Sequence, residues 1–151
     1  MTIDEAEITF KNAIQKLAES QLADCQLTTL DMIGFIKLRL AEGGGNADGG
    51  QFTDYSTVYG KVRQAKGLQV NFKDFNVSGR LYASIRPNVK SATFGRVEID
   101  IVPSGADNEL KVAGQFKREG GNILYPSPQE IQDATDAHTK RRLEAAQKLF
   151  E

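Results

Sequence analysis

The sequence has few of the residue types that usually build cofactor and metal sites: one cysteine, one histidine and no tryptophan. The single cysteine, Cys25, excludes an internal disulfide and a multi-cysteine metal site, and it is predicted to be a small residue on a helix or at its end. No run approaches the roughly 20 apolar residues of a membrane span, so no membrane partner is expected. The acidic, amphipathic residues 1–7 argue against a secretory signal. A chain of 151 residues fits one domain with a real core.

No constellation of catalytic residues is recognisable. His138 is predicted to be exposed on a polar helix, without a cysteine or carboxylate at ligand spacing. Ser78 and Ser84 lack the partners of a nucleophilic triad, since the only histidine is remote in sequence. Glu98 and Asp100 share one face of a predicted strand, which we interpret as its solvated side. The sequence therefore predicts a protein that is not an enzyme and has no catalytic, cofactor or metal site.

The formal net charge of −1 hides a polarity along the chain. Residues 1–50 hold 4 basic and 8 acidic residues, residues 51–96 hold 8 and 2, and residues 97–151 hold 7 and 10, giving −4, +6 and −3. A concentrated positive segment favours an anionic partner. The alternative is that the fold brings the acidic ends beside the basic middle and cancels its charge.

The chain begins with helical periodicity. Apolar residues step by threes and fours from Ile3 through residue 40, and the acidic first turn suits the helix macrodipole. A break near residues 24–28 would divide this region, so one long helix and two shorter helices both remain open. The glycines at 43–45 end the helical part, 1–41. Residues 42–51 form a Gly-rich loop, which in an assembling protein would order on contact with a neighbour.

The second half of the chain predicts a hairpin followed by a helix. Alternation at residues 97–102 indicates a strand ending at Pro103, paired with residues 89–94. Residues 109–117 fit a short helix, capped by Asp107 or Asn108, better than a strand. Ser127, Pro128 and Glu130 form a capping box that starts a C-terminal helix, 127–151. The apolar stripe of this helix is thin and consists of Ile131, Ala134, Leu143, Ala146 and Phe150. A thin stripe indicates either weak docking on the rest of the domain or a surface for a partner.

These patterns predict an α+β fold in a single domain, 1–151, with N-terminal helices, a small antiparallel sheet and a capped C-terminal helix. The mixed core, 52–126, opens with an aromatic and basic segment. Tyr55 and Tyr59 are spaced to share one face of a short helical turn. Ser78 is a candidate N-cap for a short helix carrying Leu81, Tyr82 and Ile85, which Pro87 would end.

Two stretches, the first of which begins in the Gly-rich loop and continues into this core, carry a resemblance to a known family. They are Gly49-Gly50-Gln51-Phe52-Thr53-Asp54-Tyr55-Ser56-Thr57-Val58-Tyr59 and Ser78-Gly79-Arg80-Leu81-Tyr82-Ala83-Ser84-Ile85. With the upstream helix and residues 118–124, their order resembles that of the head–tail joining proteins of tailed bacteriophages, the neck or tail-completion family. The resemblance covers most of the chain after about Leu27.

The resemblance implies a structural virion protein of the head–tail connector, assembled in the host cytoplasm as a ring of identical subunits. Its partners would be other neck, head-completion or tail-terminator proteins, and the basic segment could contact the genomic DNA that passes. The candidate partner or oligomer contacts are Tyr55, Tyr59, Arg63 and Arg80, with contacts inside the chain as the open alternative for each. The alternative is a small nucleic-acid-binding module that uses the basic and aromatic segment 52–96 for stacking and phosphate contacts.

Overall fold

The structure, a computed structural model, describes residues 2–93, 95–121 and 123–149. Phe94, Asn122 and Phe150, which belong to the sequence patterns above, lie outside the described residues. The described chain is a mixed helical and sheet protein, so the predicted α+β class is confirmed. Its elements are α1 (Ile3–Ala41), α2 (Thr57–Ala65), α3 (Arg80–Ser84), β1 (Ile85–Thr93), β2 (Arg96–Pro103), α4 (Ala106–Glu119) and α5 (Pro128–Gln147).

The N-terminal region is one continuous helix, α1, of 39 residues. At 1.5 Å per residue it is about 58 Å long. Thr2 and Glu5 form a capping box at its start, and the helix passes through residues 24–28 without a break. It ends where Gly43 adopts φ 81° and the Gly44 amide donates to the Arg39 carbonyl at 2.8 Å. The single-helix alternative is therefore the one the molecule adopts. Among the described helices, none is both long and apolar enough to cross a bilayer.

The predicted hairpin is present. β1 and β2 pair antiparallel from Ile85 opposite Pro103 to Thr93 opposite Arg96, with a register shift between Val89 and Ser91. Glu98 and Asp100 are exposed, as the alternation predicted. They pair with neighbouring cations on the solvent side of the sheet, Arg96 and Lys90 respectively.

The short helix before the hairpin differs from its prediction. α3 spans only Arg80–Ser84, and its N-cap is Gly79 at φ 73°, with no capping bond from the Ser78 side chain. Ile85 is the first residue of β1 rather than the end of the helix. Pro87 therefore lies inside a strand, opposite Ile101. A two-stranded sheet tolerates it, because each strand is an edge with one side free of ladder hydrogen bonds.

The helix predicted for residues 109–117 is present as α4, but it begins earlier than predicted. Its N-cap is Gly105, with no side-chain cap, and its C-cap is Gly120 at φ 70°. Asp107 and Asn108 thus lie in the first turn, so the predicted capping role for them is wrong. The Asn108 side chain instead donates to the carbonyl of Ser104 at 2.9 Å.

The hydrophobic core lies against the C-terminal half of α1. Its buried members come from α1, the start of β1 and the turn before α5: Ile33, Ile36, Leu40, Ile85, Ile123 and Leu124. Partly buried side chains from the middle segment pack on it, including Phe52, Phe75 and Tyr82. The core thus fixes the position of the aromatic and basic segment relative to α1.

The capping box of α5 is formed as predicted, with Ser127 accepting from the Glu130 amide. Of the predicted apolar stripe of this helix, Ala134 is fully buried, whereas Ile131 and Leu143 remain 44% and 60% exposed. Polar side chains therefore supply much of its contact with α1. Three ion pairs join the two helices: Arg39 with Glu130 at 2.9 Å, Arg141 with Asp31 at 2.7 Å and Arg142 with Asp24 at 2.7 Å.

His138 is half-buried in this helix pair, which corrects the prediction that it is exposed. Its Nδ1 lies 2.8 Å from the hydroxyl of Thr28 on α1. Arg141 donates to the same hydroxyl at 3.0 Å. Sequence spacing could not predict the contact, because its partner lies 110 residues away.

Candidate functional site

The four predicted contact residues line one cavity of about 540 Å³, named here the basic cavity. It lies between the aromatic and basic segment and one side of α4. Its lining combines five cations and one carboxylate, Asp54, with aromatic, apolar and neutral polar side chains. The cations are Arg63, Lys73, Arg80, Lys111 and Arg118.

The two tyrosines reach the cavity from the start of α2. Ser56 caps this helix by accepting from the Tyr59 amide, so Tyr55 lies just outside the helix rather than on its first turn. The two rings still meet edge to face, with centroids 5.4 Å apart. Tyr59 is 40% exposed at the rim, whereas Tyr55 is half-buried.

Arg63 is the most deeply buried cation of the site, at 1% exposure. Its Nη2 donates to both carboxylate oxygens of Asp74 at 3.0 Å. Its Nε and Nη1 donate to the carbonyls of Gln69 and Asn76 at 2.9 and 3.0 Å. The guanidinium also stacks 4.5 Å from the centroid of the Tyr55 ring. The side chain therefore holds the loop 69–76 to α2 and is not available at the surface.

Asp74 is the acceptor at the centre of this network. Besides Arg63, it accepts from the Tyr55 hydroxyl at 3.0 Å and from the Gln69 side chain at 2.9 Å. The hydroxyl of Tyr82 donates to its carbonyl. Burial raises the pKa of Tyr55 to about 12, with the Asp74 side chain adding to the rise. Burial likewise raises the pKa of Tyr82, so both phenols stay neutral donors at physiological pH.

A second ion pair closes the cavity on the α4 side. Lys73 lies 2.5 Å from Glu119, and their side chains are 12% and 1% exposed. The Thr53 amide donates to the same carboxylate at 2.9 Å. Burial raises the pKa of Glu119, but the hydrogen bonds from Lys73 and Thr53 outweigh it and the pKa is lowered. The carboxylate is therefore charged at neutral pH and neutralises Lys73.

The remaining three cations of the cavity, Arg80, Lys111 and Arg118, are exposed. None of them forms an ion pair within the described residues. Lys111 and Arg118 were missed by sequence reasoning. They are seven residues apart on α4 and therefore lie on one face, but the predicted helix, 109–117, ended before Arg118.

A second cavity, of about 670 Å³, lies between α1, β2 and α5 and includes Cys25, His138 and Asp100. Burial and the neighbouring Asp24 raise the pKa of Cys25 against the opposing charge of Arg142, so its thiol is not activated as a nucleophile. Within the described part of the chain, no group of three or more His, Cys, Asp or Glu side chains could hold a metal ion.

The chain matches no protein-family model, no curated protein and no solved structure.

Proposed function

We propose that the chain is a structural subunit that works by assembly, as part of the head–tail connector ring of a tailed bacteriophage. The observation that carries the proposal is the amount of surface that one chain exposes. A compact monomer of 16.6 kDa exposes about 7600 Å². This chain exposes 10010 Å², about a third more than the size scaling gives. An area above this scaling means that the chain is less compact than a typical monomer, and in this proposal neighbouring subunits cover part of the surplus.

Large apolar side chains are exposed along the first four turns of α1, residues 3–16, named here the N-terminal arm, although Ala13 within these turns is buried. Ile3, Ile8 and Phe10 are 86%, 60% and 59% exposed. In the described chain, no hydrogen bond or ion pair links the arm to residues outside α1 and its cap. A folded domain of this length has a radius of gyration of about 15 Å. A helix of about 58 Å therefore extends well beyond it.

The resemblance described above gives this assembly its biological setting. The subunit would act in the virion, between head and tail, after assembly in the host cytoplasm. Its partners would be identical copies and other neck, head-completion or tail-terminator proteins. No bond is made or broken in this function, and no cofactor is required.

A nucleic-acid module is the second candidate, favoured by the unpaired cations beside Tyr59. The ion pairs argue against this candidate, because four of the eight cations in 51–96 already have carboxylate partners: Arg63, Lys73, Lys90 and Arg96. Three of these partners belong to the acidic last third of the chain, which partly cancels the basic middle. Nucleic-acid binding requires a steep fall of affinity with salt.

Quantitative mass spectrometry of density-banded particles from the source culture tests the neck assignment. We expect the chain beside capsid and tail proteins at a copy number of about ten per particle, as for a closed ring. Finding it only in the soluble fraction would overturn the assignment. A salt titration of DNA binding by the purified chain then tests the second candidate.

A further inference from the structure

We propose that the N-terminal arm of one subunit docks in the basic cavity of a second copy of the chain. This inference rests on the proposed assembly function and identifies the two surfaces that would meet. Both surfaces belong to the same chain, and each has an apolar component and a charge that the other complements.

The arm presents an apolar face that also carries negative charge. Ile3, Glu7, Phe10 and Ile14 are spaced by four, three and four residues, which places them on one side of the helix. Asp4 lies beside Glu7 on that side. The three acidic residues of the arm all lie in its first two turns, residues 3–10, which hold no basic residue, while the two lysines of the arm follow at positions 11 and 16. Glu7 pairs with Lys11 at 2.5 Å, but both side chains are more than half exposed, so this pair is weak and can exchange for an intermolecular one.

The basic cavity offers the matching chemistry. Arg80, Lys111 and Arg118 supply positive charge without carboxylate partners within the described chain. The apolar part of the lining includes Phe75 and Leu81. Its volume of about 540 Å³ lies in the range of sites that enclose a ligand group.

The positions of the two surfaces favour contact between chains. Phe75, in the cavity lining, packs on the core formed by the C-terminal half of α1. The arm is the opposite end of α1, and the whole helix is about 58 Å long. A rigid helix cannot fold back on itself, so the arm reaches a cavity only on another subunit. Contact between two different surfaces is head to tail, and it generates a ring when the rotation closes.

Charge reversal on each surface tests the contact by sedimentation equilibrium of the full chain. D4K/E7K alters the arm and R80E/R118E alters the cavity. We expect each variant alone to associate about tenfold more weakly than the unmodified chain. An equimolar mixture of the two variants should recover association. The positive arm of D4K/E7K would fit the negative cavity of R80E/R118E, and the unmodified arm of R80E/R118E would fit the unmodified cavity of D4K/E7K. Added salt should weaken the contact.

The control matched to R80E/R118E is K61E/K66E. It also replaces two cations by carboxylates, but on exposed residues of α2 and its C-cap, outside the cavity lining. It should leave association unchanged, and circular dichroism with urea unfolding should show all three variants folded. The proposal is overturned if the unmodified chain stays monomeric up to about 1 mM, a very weak limit for a contact. It is also overturned if the mixture fails to recover association.

A different result would indicate that the basic cavity binds nucleic acid rather than the arm. If R80E/R118E abolishes salt-sensitive binding of single-stranded DNA while association is unchanged, the docking proposal is wrong. The neck assignment is judged independently, by the presence of the chain in banded particles. A chain that associates through arm and cavity but is missing from particles would retain the contact and lose the neck assignment.

Discussion

Arg63 and Asp74 form a buried ion pair that organises the aromatic and basic segment. Both carboxylate oxygens lie 3.0 Å from Nη2 of the arginine, and the two side chains are 1% and 13% exposed. The guanidinium also donates to two carbonyls of the surrounding loop, and the carboxylate also accepts from Tyr55 and Gln69. Such a pair fixes a conformation, and removing one member leaves the other charged and unpaired.

Replacing Asp74 by asparagine should therefore be strongly destabilising. The substituted amide would keep the size of the side chain but would leave Arg63 buried without a counter-charge. We expect Asp74→Asn to lower the free energy of unfolding by about 3–5 kcal/mol, measured by urea denaturation at neutral pH.

The matched control is Asp100→Asn, which breaks an ion pair of similar length, 3.1 Å, with Lys90. Both side chains of that pair are more than half exposed, so its loss should cost about 1 kcal/mol or less. Equal losses from the two substitutions would show that the Arg63–Asp74 pair contributes no more than a surface pair.

Glu119 should make stability depend on pH in the acid range. Its pKa in the folded chain lies below the ordinary value of 4.5, so its contribution is complete above pH 4.5 and is lost as the pH falls through the folded value. Glu119→Gln removes this contribution at every pH. The stability difference between the original chain and the variant should be largest at neutral pH and should shrink below pH 4.5, as measured by urea unfolding across the range.

Glu98→Gln serves as the control for that series. Glu98 pairs with Arg96 at 2.8 Å, but the side chains are 53% and 74% exposed. Its removal should change stability by about 0.5 kcal/mol or less at all pH values. A difference for Glu119→Gln that does not vary with pH would contradict the lowered pKa.

Sequence reasoning succeeded where structure is decided locally. The capping box at Ser127 and Glu130 depends on residues three apart, and the strand ending at Pro103 shows its own alternation. The prediction failed at Ile85, because pairing with Pro103 extends the strand into a segment that reads as helix. Distant packing decides such a boundary.

The contact role of the four candidate residues stays a prediction, whereas their location can be compared with the sequence. The sequence brought Tyr55, Tyr59, Arg63 and Arg80 together in one segment, and the structure places all four around one cavity. The sequence could not show that Arg63 is buried, because the spacing of the basic residues does not indicate which of them forms the ion pair with Asp74. The α4 side of the cavity was missed because Lys111 and Arg118 are distant from that segment in sequence, and only the tertiary fold brings them beside it.

Gly45 should not tolerate a side chain. A Cβ built there lies 1.8 Å from the carbonyl oxygen of Gly50 and 2.6 Å from its carbon, both backbone atoms that cannot rotate away. Gly45→Ala would force open the loop that the Asn46 amide closes by donating to Gly50 at 2.8 Å. We expect a loss of about 1–3 kcal/mol, as for an overpacked site, measured by urea unfolding.

Gly34→Ala is the matched substitution with the opposite expected sign. Gly34 lies within α1, and a Cβ there has no neighbour within 4 Å. Alanine should stabilise the helix by about 1 kcal/mol. Destabilisation by both substitutions would indicate that Gly34 also faces a close neighbour, such as another subunit.

The two capping boxes should differ in their effect on global stability. Ser127 and Thr2 make the same bonds at the starts of α5 and α1, but Glu130 of the first box also pairs with Arg39 at 2.9 Å. Ser127→Ala should lower the free energy of unfolding by about 1 kcal/mol. Thr2→Ala should change it by less than about 0.5 kcal/mol, because an end without tertiary hydrogen bonds frays separately from the core. Hydrogen exchange should instead accelerate in the first turns of α1. An equal loss from both substitutions would mean that the arm unfolds with the core, and the arm could not then be an independent element awaiting a neighbouring subunit.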